Sequence, residues 1–374
     1  PAPRAARSKE VTLNSRSRSR SNDDEKKQCT AQGIGTEPTS PCALRRHMVP
    51  SFLNGTWLGA FIGHCILIPL WTLAPVPLLS SVILICLGGT YALVGFCIAV
   101  LLLLIRTVQL PYSPSFVQMF YDLGCTNFYR QCKICGPNLS DIKHDKTLFM
   151  FHPHGILSVG FVINGCWNKH FNGLAAAKDL NKPKSTSTIF LIDKALREWP
   201  TPFKVLCDLS GRLESATKSN IVKFMRAGRN LAIIPGGFED ATLFVYGKDR
   251  TYMSQRKGLV KYALQHGYAL TPVWSFGECD TYHTFTGLLN FRLALNKYGV
   301  PGVLFFGWSK LPTFPRVDSE VLSYVGAPLQ LPTIAEPTPA QVDEWHGKYL
   351  DALRALYEAH KAEAGYSNNV LEIY

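Results

Sequence analysis

The stretch TLFMFHPHGILSVGFVINGCW, Thr147 to Trp167, sets the reading of this chain. Thr147–Phe151 is an unbroken β-branched and apolar run, the composition of a short strand covered on both faces. Polar punctuation follows at once in His152-Pro153-His154-Gly155, and Ile156–Trp167 then reads as a helix. The same alternation recurs on the C-terminal side. Thr188–Ile192 is strand-like, Ala216–Ala227 helical with Gly228 suited to its C-terminal cap, Asn230–Ile234 a strand, Gly258–His266 a helix and Ala269–Ser275 a strand, with Val303–Trp308 as a candidate fifth strand. Strands alternating with helices predict an α/β layer fold with a mostly parallel sheet. A last helix is announced by Thr338 as N-cap, Pro339 at its first position and Gln341 three residues after the cap. Val342, Trp345, Tyr349, Leu353, Leu356 and His360 follow with helical spacing, and Gly365 closes it.

On the N-terminal side the composition changes twice. From His47 to Ile105 there is no Lys, Arg, Asp or Glu, a run of 59 residues. One membrane-spanning helix takes about 20 apolar residues, so the run is long enough for two. Spans at about 52–74 and 79–105 are expected, turning near Pro69, Pro75 and Pro77 as a transmembrane or re-entrant hairpin. Arg45–Arg46 and Arg106 bracket the run, which puts both ends on the cytoplasmic side. Residues 1–46, with Arg16–Lys27 reading RSRSRSNDDEKK, have few apolar side chains and are expected to be a disordered basic tail. The organisation is therefore a tail (1–46), a helical hairpin (47–106) and an α/β domain (107–374).

The chain carries 39 Lys and Arg against 27 Asp and Glu, a net charge of +12. Such an excess suits a nucleic acid, an anionic membrane surface or a phosphate-rich cosubstrate alike. Eleven cysteines lie scattered without paired spacing, so a disulfide scaffold is not expected. Cys132 and Cys135 form one CxxC, but no second pair completes a zinc site and no metal is expected. GxSxG, GxGxxG and Walker motifs are absent, which argues against serine-esterase, dinucleotide-binding and P-loop chemistry.

Two segments carry groups suited to chemistry. In Phe151-His152-Pro153-His154-Gly155, two imidazoles stand at the end of a strand, where sites gather in open α/β sheets. An imidazole titrates near neutrality and can take a proton from an attacking alcohol. In Ile233-Ile234-Pro235-Gly236-Gly237-Phe238-Glu239-Asp240, a strand runs into two glycines and two acids. Glycine amides can approach a developing negative charge, and a carboxylate can orient a histidine. Arg250, Arg256, Lys257 and Lys261 make a basic stretch that could meet phosphates.

The chain resembles the type-2 diacylglycerol acyltransferases, a family that includes monoacylglycerol and wax-forming enzymes. FHPHG, IIPGG with its acids, RKGLVKYALQHG (Arg256–Gly267), TPVWSFGE (Thr271–Glu278), VGAPL (Val325–Leu329) and VDEWHGKYLDALRALYEAHK (Val342–Lys361) stand in that family's order, over about residues 50–374. The Tyr-Phe-Pro block usual upstream of HPHG is missing, and the acid block ends in Glu239-Asp240 where the family often reads GGxxE. The resemblance implies acyl transfer from acyl-CoA, as cosubstrate and with no cofactor, to diacylglycerol, with monoacylglycerol or a fatty alcohol as alternative acceptors. A lipid-binding hairpin protein without catalysis is the remaining alternative. The resemblance further implies His154 as general base, His152 supporting or substituting for it, and Asp240 or Glu239 holding the imidazole. Gly155, Gly236, Gly237, Arg256, Lys257 and Glu278 are then expected at the substrates, the Gly236–Gly237 amides at the oxyanion. The implied partners are acyl-CoA, diacylglycerol and the lipid bilayer, with no nucleic acid, and a homo-oligomer is compatible. The implied location is the endoplasmic reticulum membrane or lipid droplet, with the domain facing the cytosol.

Overall fold

Period-two burial organises the sheet. In the computed structural model, which describes residues 49–136, 145–172, 188–199, 201–299 and 302–374, every side chain of Thr147–His152 is buried. Phe149 and Phe151 enter one apolar core while Leu148 and Met150 enter a second, on the opposite face. Both faces are therefore covered, as expected for parallel strands joined by helical crossovers.

Three N-terminal helices come first: α1 (Trp57–Thr72), α2 (Val76–Leu87) and α3 (Gly89–Thr107), then α4 (Pro114–Leu123). The α/β part continues with β1 (Gln131–Cys135), β2 (Thr147–His152), the short α5 (Val159–Phe161), β3 (Ile189–Ile192), α6 (Lys194–Glu198), α7 (Pro202–Ser210), β4 (Leu213–Ser215), α8 (Lys218–Arg226) and β5 (Leu231–Ile233). It closes with α9 (Gly237–Leu243), β6 (Arg250–Thr251), α10 (Gly258–His266), β7 (Ala269–Phe276), β8 (His283–Thr284), α11 (Leu289–Asn296), β9 (Phe305–Phe306), β10 (Glu320–Val325), β11 (Leu329–Gln330), α12 (Pro339–His360) and β12 (Glu372–Ile373).

The main sheet has the order β1-β10-β7-β2-β5-β3-β4 with β11 added on β7. Strands β7, β2, β5, β3 and β4 are parallel, β1 is parallel to β10, and β10 and β11 run antiparallel to β7. The mostly parallel α/β sheet is thus observed. Val303–Trp308 departs from expectation: only Phe305–Phe306 is a strand, and it pairs with β8 in a separate ribbon. Ile156–Trp167 departs too, since a loop runs to Ser158, helix α5 starts only at Val159, and a π-turn spans Val162–Cys166. The expected tail, residues 1–46, lies outside the described residues, as does most of the polar stretch Asn168–Ser187.

Helices α1, α4 and α7 cover one face of the sheet, and α8, α10 and α12 the other. Helix α12 has the anticipated capping box, with Thr338 and Gln341 bonding reciprocally. Its buried stripe is Val342, His346, Tyr349, Leu353, Leu356 and Tyr357.

In the apolar run, α3 is long and apolar enough to cross a membrane, and α1 with α2, bent by 54° between them, would make a second span. Reversal occurs at Gly88 (φ 75°) and Gly89 (φ 58°), not at the prolines. Pro75 caps α2 and Pro77 lies in its first turn, where the missing N–H costs nothing, so these prolines start a helix. Helices α2 and α3 then meet closely at Gly95, whose carbonyl accepts from Ser81 Oγ at 3.1 Å, while Leu79, Ile83, Leu93 and Leu101 face outward. Helix α1 behaves differently: Ala60, His64, Leu67 and Ile68 are buried, most of them in the same core as Phe149 and Phe151.

Candidate active site

A cavity of about 670 Å³ opens at the carboxyl ends of the parallel strands β2, β3, β4 and β5. Leu191, Ile192, Ile233 and Leu213 close its floor, Phe161, Val162 and Trp167 one side, and Leu67 and Trp71 of α1 another. His154, Glu239 and Arg256 bring polar groups to this apolar lining.

The two histidines of HPHG diverge. Leu148, Met150 and His152 lie on the same side of β2, facing α12, so His152 ends in the core and does not line the cavity. Its Nδ1 lies 2.8 Å from Thr251 Oγ1 and its Nε2 accepts from Tyr349 O–H at 2.9 Å. With both nitrogens engaged and the ring fully buried, no lone pair is open to a substrate, and burial pushes its pKa down to about 3. In this structure His152, expected to support or substitute for His154, is a buried hydrogen-bonding side chain away from the cavity.

After the cis His152–Pro153 peptide the chain turns, and His154 faces the cavity. Its Nδ1 lies 3.0 Å from the Gly155 carbonyl, which can only accept, so Nδ1 carries the proton. Ser158 Oγ lies 3.3 Å from the same nitrogen. Nε2 then holds the free lone pair and has no hydrogen-bond partner among the described residues. Burial lowers the pKa of this imidazole, partly offset by the Gly155 carbonyl, so the ring is neutral at pH 7 and able to accept a proton.

Neither acid touches that ring. Asp240 is buried, and its Oδ2 accepts from the His154 backbone N–H at 3.1 Å and from Thr251 O–H at 3.4 Å. Its Oδ1 accepts from Tyr252 N–H at 2.7 Å. The carboxylate therefore fixes the backbone of the histidine loop, not the imidazole. Desolvation pushes its pKa up to about 7 against these three donors. With Asp240 ionised, the protons run one way: Tyr349 O–H to His152 Nε2, His152 Nδ1–H to Thr251, Thr251 O–H to Asp240. Glu239 points into the cavity and pairs with Arg256 Nη2 at 2.5 Å, while the same nitrogen donates to the Gly236 carbonyl at 3.2 Å.

The other expected positions separate. Gly155 has φ 65°, and a Cβ there would fall 2.2 Å from Glu278 Oε1, so only glycine fits the turn. A Cβ on Gly236 would strike the Asp240 carboxyl group, and Gly237 (φ 59°) lines the cavity. Lys257, at the N-cap of α10, leaves the site: its Nζ pairs with Asp343 at 2.8 Å on the surface. Glu278 is also removed from the substrate side. It is fully buried and accepts from Val159 N–H at 2.9 Å and Gly160 N–H at 2.7 Å, anchoring the start of α5. Thr251, Ser158 and Tyr349 were missed as site residues. Tyr349 was visible only as one member of an apolar stripe, and no local motif marks Thr251.

The family model described as diacylglycerol acyltransferase matches residues 137–373. The chain is 30% identical over 249 residues to 2-acylglycerol O-acyltransferase 1 of Bos taurus, covering 61% of this chain and 69% of that protein. It is 30% identical over 234 residues to acyl-CoA wax alcohol acyltransferase 1 of Homo sapiens, covering 58% and 66%. It is 27% identical over 229 residues to diacylglycerol O-acyltransferase 2 of Dictyostelium discoideum, covering 57% and 66%. No solved structure matches the chain. With the family model covering more than half of its length, this chain belongs to the diacylglycerol acyltransferase family.

Proposed function

We propose that this protein is an acyl-CoA-dependent O-acyltransferase that acylates diacylglycerol to triacylglycerol in the endoplasmic reticulum membrane or at lipid droplets. The observation that carries the chemistry is the neutral His154, with its Nε2 lone pair open at the wall of an apolar cavity. The acceptor hydroxyl attacks the thioester carbonyl as Nε2 takes its proton. The new C–O bond forms, the C–S bond breaks, and the proton passes to the departing CoA sulfur. Amides at Gly236–Gly237 face the developing oxyanion, and Arg256, drawn from Glu239, meets a CoA phosphate. No covalent acyl-enzyme is needed. The outward-facing leucines of α2 and α3 support a membrane hairpin, and the arginines bracketing the apolar run support cytosolic flanks, which keeps the cavity beside its lipid substrates.

Expression in cells lacking neutral-lipid synthesis, followed by analysis of lipid classes, tests the acceptor. Triacylglycerol is the expected product. Diacylglycerol from monoacylglycerol, or wax esters from fatty alcohol, would move the assignment to the activities named for the bovine and human relatives.

A further inference from the structure

Residues 285–299 and 302–311 show an inverted distribution of side chains. On α11, Phe291 is 62% exposed and Leu289 faces outward, while Arg292 is buried. The buried guanidinium donates to the Gly302 carbonyl at 2.6 Å and the Thr242 carbonyl at 2.8 Å, pinning the helix by its polar side. An aqueous surface would select the opposite arrangement. The following segment alternates: Val303 and Phe305 line the cavity, whereas Leu304 (69%) and Phe306 (56%) point away from the protein.

Three further features name the occupant. From Thr281 to Val317 there is no Asp or Glu, while Lys297 and Lys310 are exposed within the segment. Aromatic side chains mixed with lysines are the composition of a membrane interface, and the missing acids suit an anionic one. The patch is also continuous with the apolar N-terminal helices: Trp308 meets Trp57 and Phe61 of α1 edge-on at 6.4 Å, and Phe305 stacks on Trp71 at 6.2 Å. An exposed apolar face of this kind marks an interaction surface.

We propose that residues 285–299 and 302–311 form a second membrane-contacting surface, laid on an anionic bilayer beside the α2–α3 hairpin. The inference rests on the reading of that hairpin as membrane-embedded. It adds that the cavity wall made by α1 and residues 303–306 lies at lipid level, so that lipid substrates need cross only one layer of side chains.

The test uses the full chain reconstituted in phosphatidylcholine–phosphatidylserine vesicles that contain a nitroxide-labelled lipid. An environment-sensitive fluorescent amino acid is placed, one site at a time, at Phe291, Leu304, Leu93 on α3 and Asp351 on α12. Loss of most fluorescence at Phe291, Leu304 and Leu93, with Asp351 unquenched, is expected. Quenching at Leu93 alone overturns this surface and spares the hairpin; quenching at neither overturns both. Quenching at Phe291 and Leu304 that appears only on diluting the protein in the bilayer overturns the proposal in favour of a face between two copies. Acyl transfer is not read, so the catalytic assignment stands or falls separately.

Discussion

Replacing Asp240 by Asn tests whether this carboxylate holds a loop or a base. Three donors converge on it, two on Oδ2 and one on Oδ1. An amide offers one acceptor. With its NH2 at the Oδ2 position, His154 N–H and Thr251 O–H both lose their partner; at the Oδ1 position only Tyr252 N–H does. One unsatisfied buried donor costs about 1–3 kcal/mol, so the second orientation wins and the bond to His154 survives. The expected loss of turnover is therefore under about tenfold, since less than about 1.4 kcal/mol reaches the histidine loop. Stability should show the other half of the effect. The folded pKa of Asp240 is raised from 3.8 to about 7, so the folded state binds this proton more tightly than the unfolded state. Wild-type stability then falls as pH rises from 3.8 through about 7, by an order-of-magnitude limit of ~4 kcal/mol. The variant has no such group and lacks that decline, so its deficit against wild type narrows toward pH 8. Thermal unfolding in detergent across this range and turnover in the same preparations measure both effects. A turnover loss as large as that of His154→Ala, or a wild-type stability that rises between pH 4 and 7 by the same amount, would refute the reasoning.

His154→Ala should lower turnover by about 10²–10⁴ while the protein still accumulates and inserts, and the acid limb of the wild-type rate profile should lie below pH 6.5. His152→Ala should instead lower the melting temperature, since it leaves the buried Tyr349 hydroxyl without an acceptor, at about 1–3 kcal/mol, while Thr251 keeps Asp240; unchanged stability with lost activity would reverse the two roles. Arg256→Ala should raise KM for acyl-CoA more than for the acceptor, and Lys257→Ala should change neither, because Lys257 is held at Asp343 on the surface. Tags before residue 47 and after Arg106 should both be accessible from the cytosol, and opposite accessibility would exclude the hairpin.

What could be read without coordinates was whatever depends on local pattern. Buried parallel strands must be apolar on both faces, so Thr147–Phe151, Thr188–Ile192 and Ala269–Ser275 declared themselves. The capping box of α12 and the glycine after α8 are satisfied by residues three or four positions apart. Two-residue strands give no such signal, so the expected strand Val303–Trp308 shrinks to Phe305–Phe306, and its pairing with His283–Thr284 has no mark in the sequence. The prolines at 75 and 77 signal a break, but a proline serves a helix start as readily as a turn, and only the left-handed glycines at 88–89 reveal where the hairpin reverses.

The sequence alone determined that histidines would stand at a strand end and acids beyond a Gly-Gly turn, because adjacency along the chain puts them there. Which groups touch which was decided by packing. His152 and His154 are two residues apart, yet strand alternation and the turn at Pro153 send one into the core and the other to the cavity. Glu239 and Asp240 are neighbours, yet one meets Arg256 and the other the backbone of the histidine loop. Thr251 and Tyr349 reach His152 from 99 and 197 residues away, and contacts across such separations leave no mark in a single sequence.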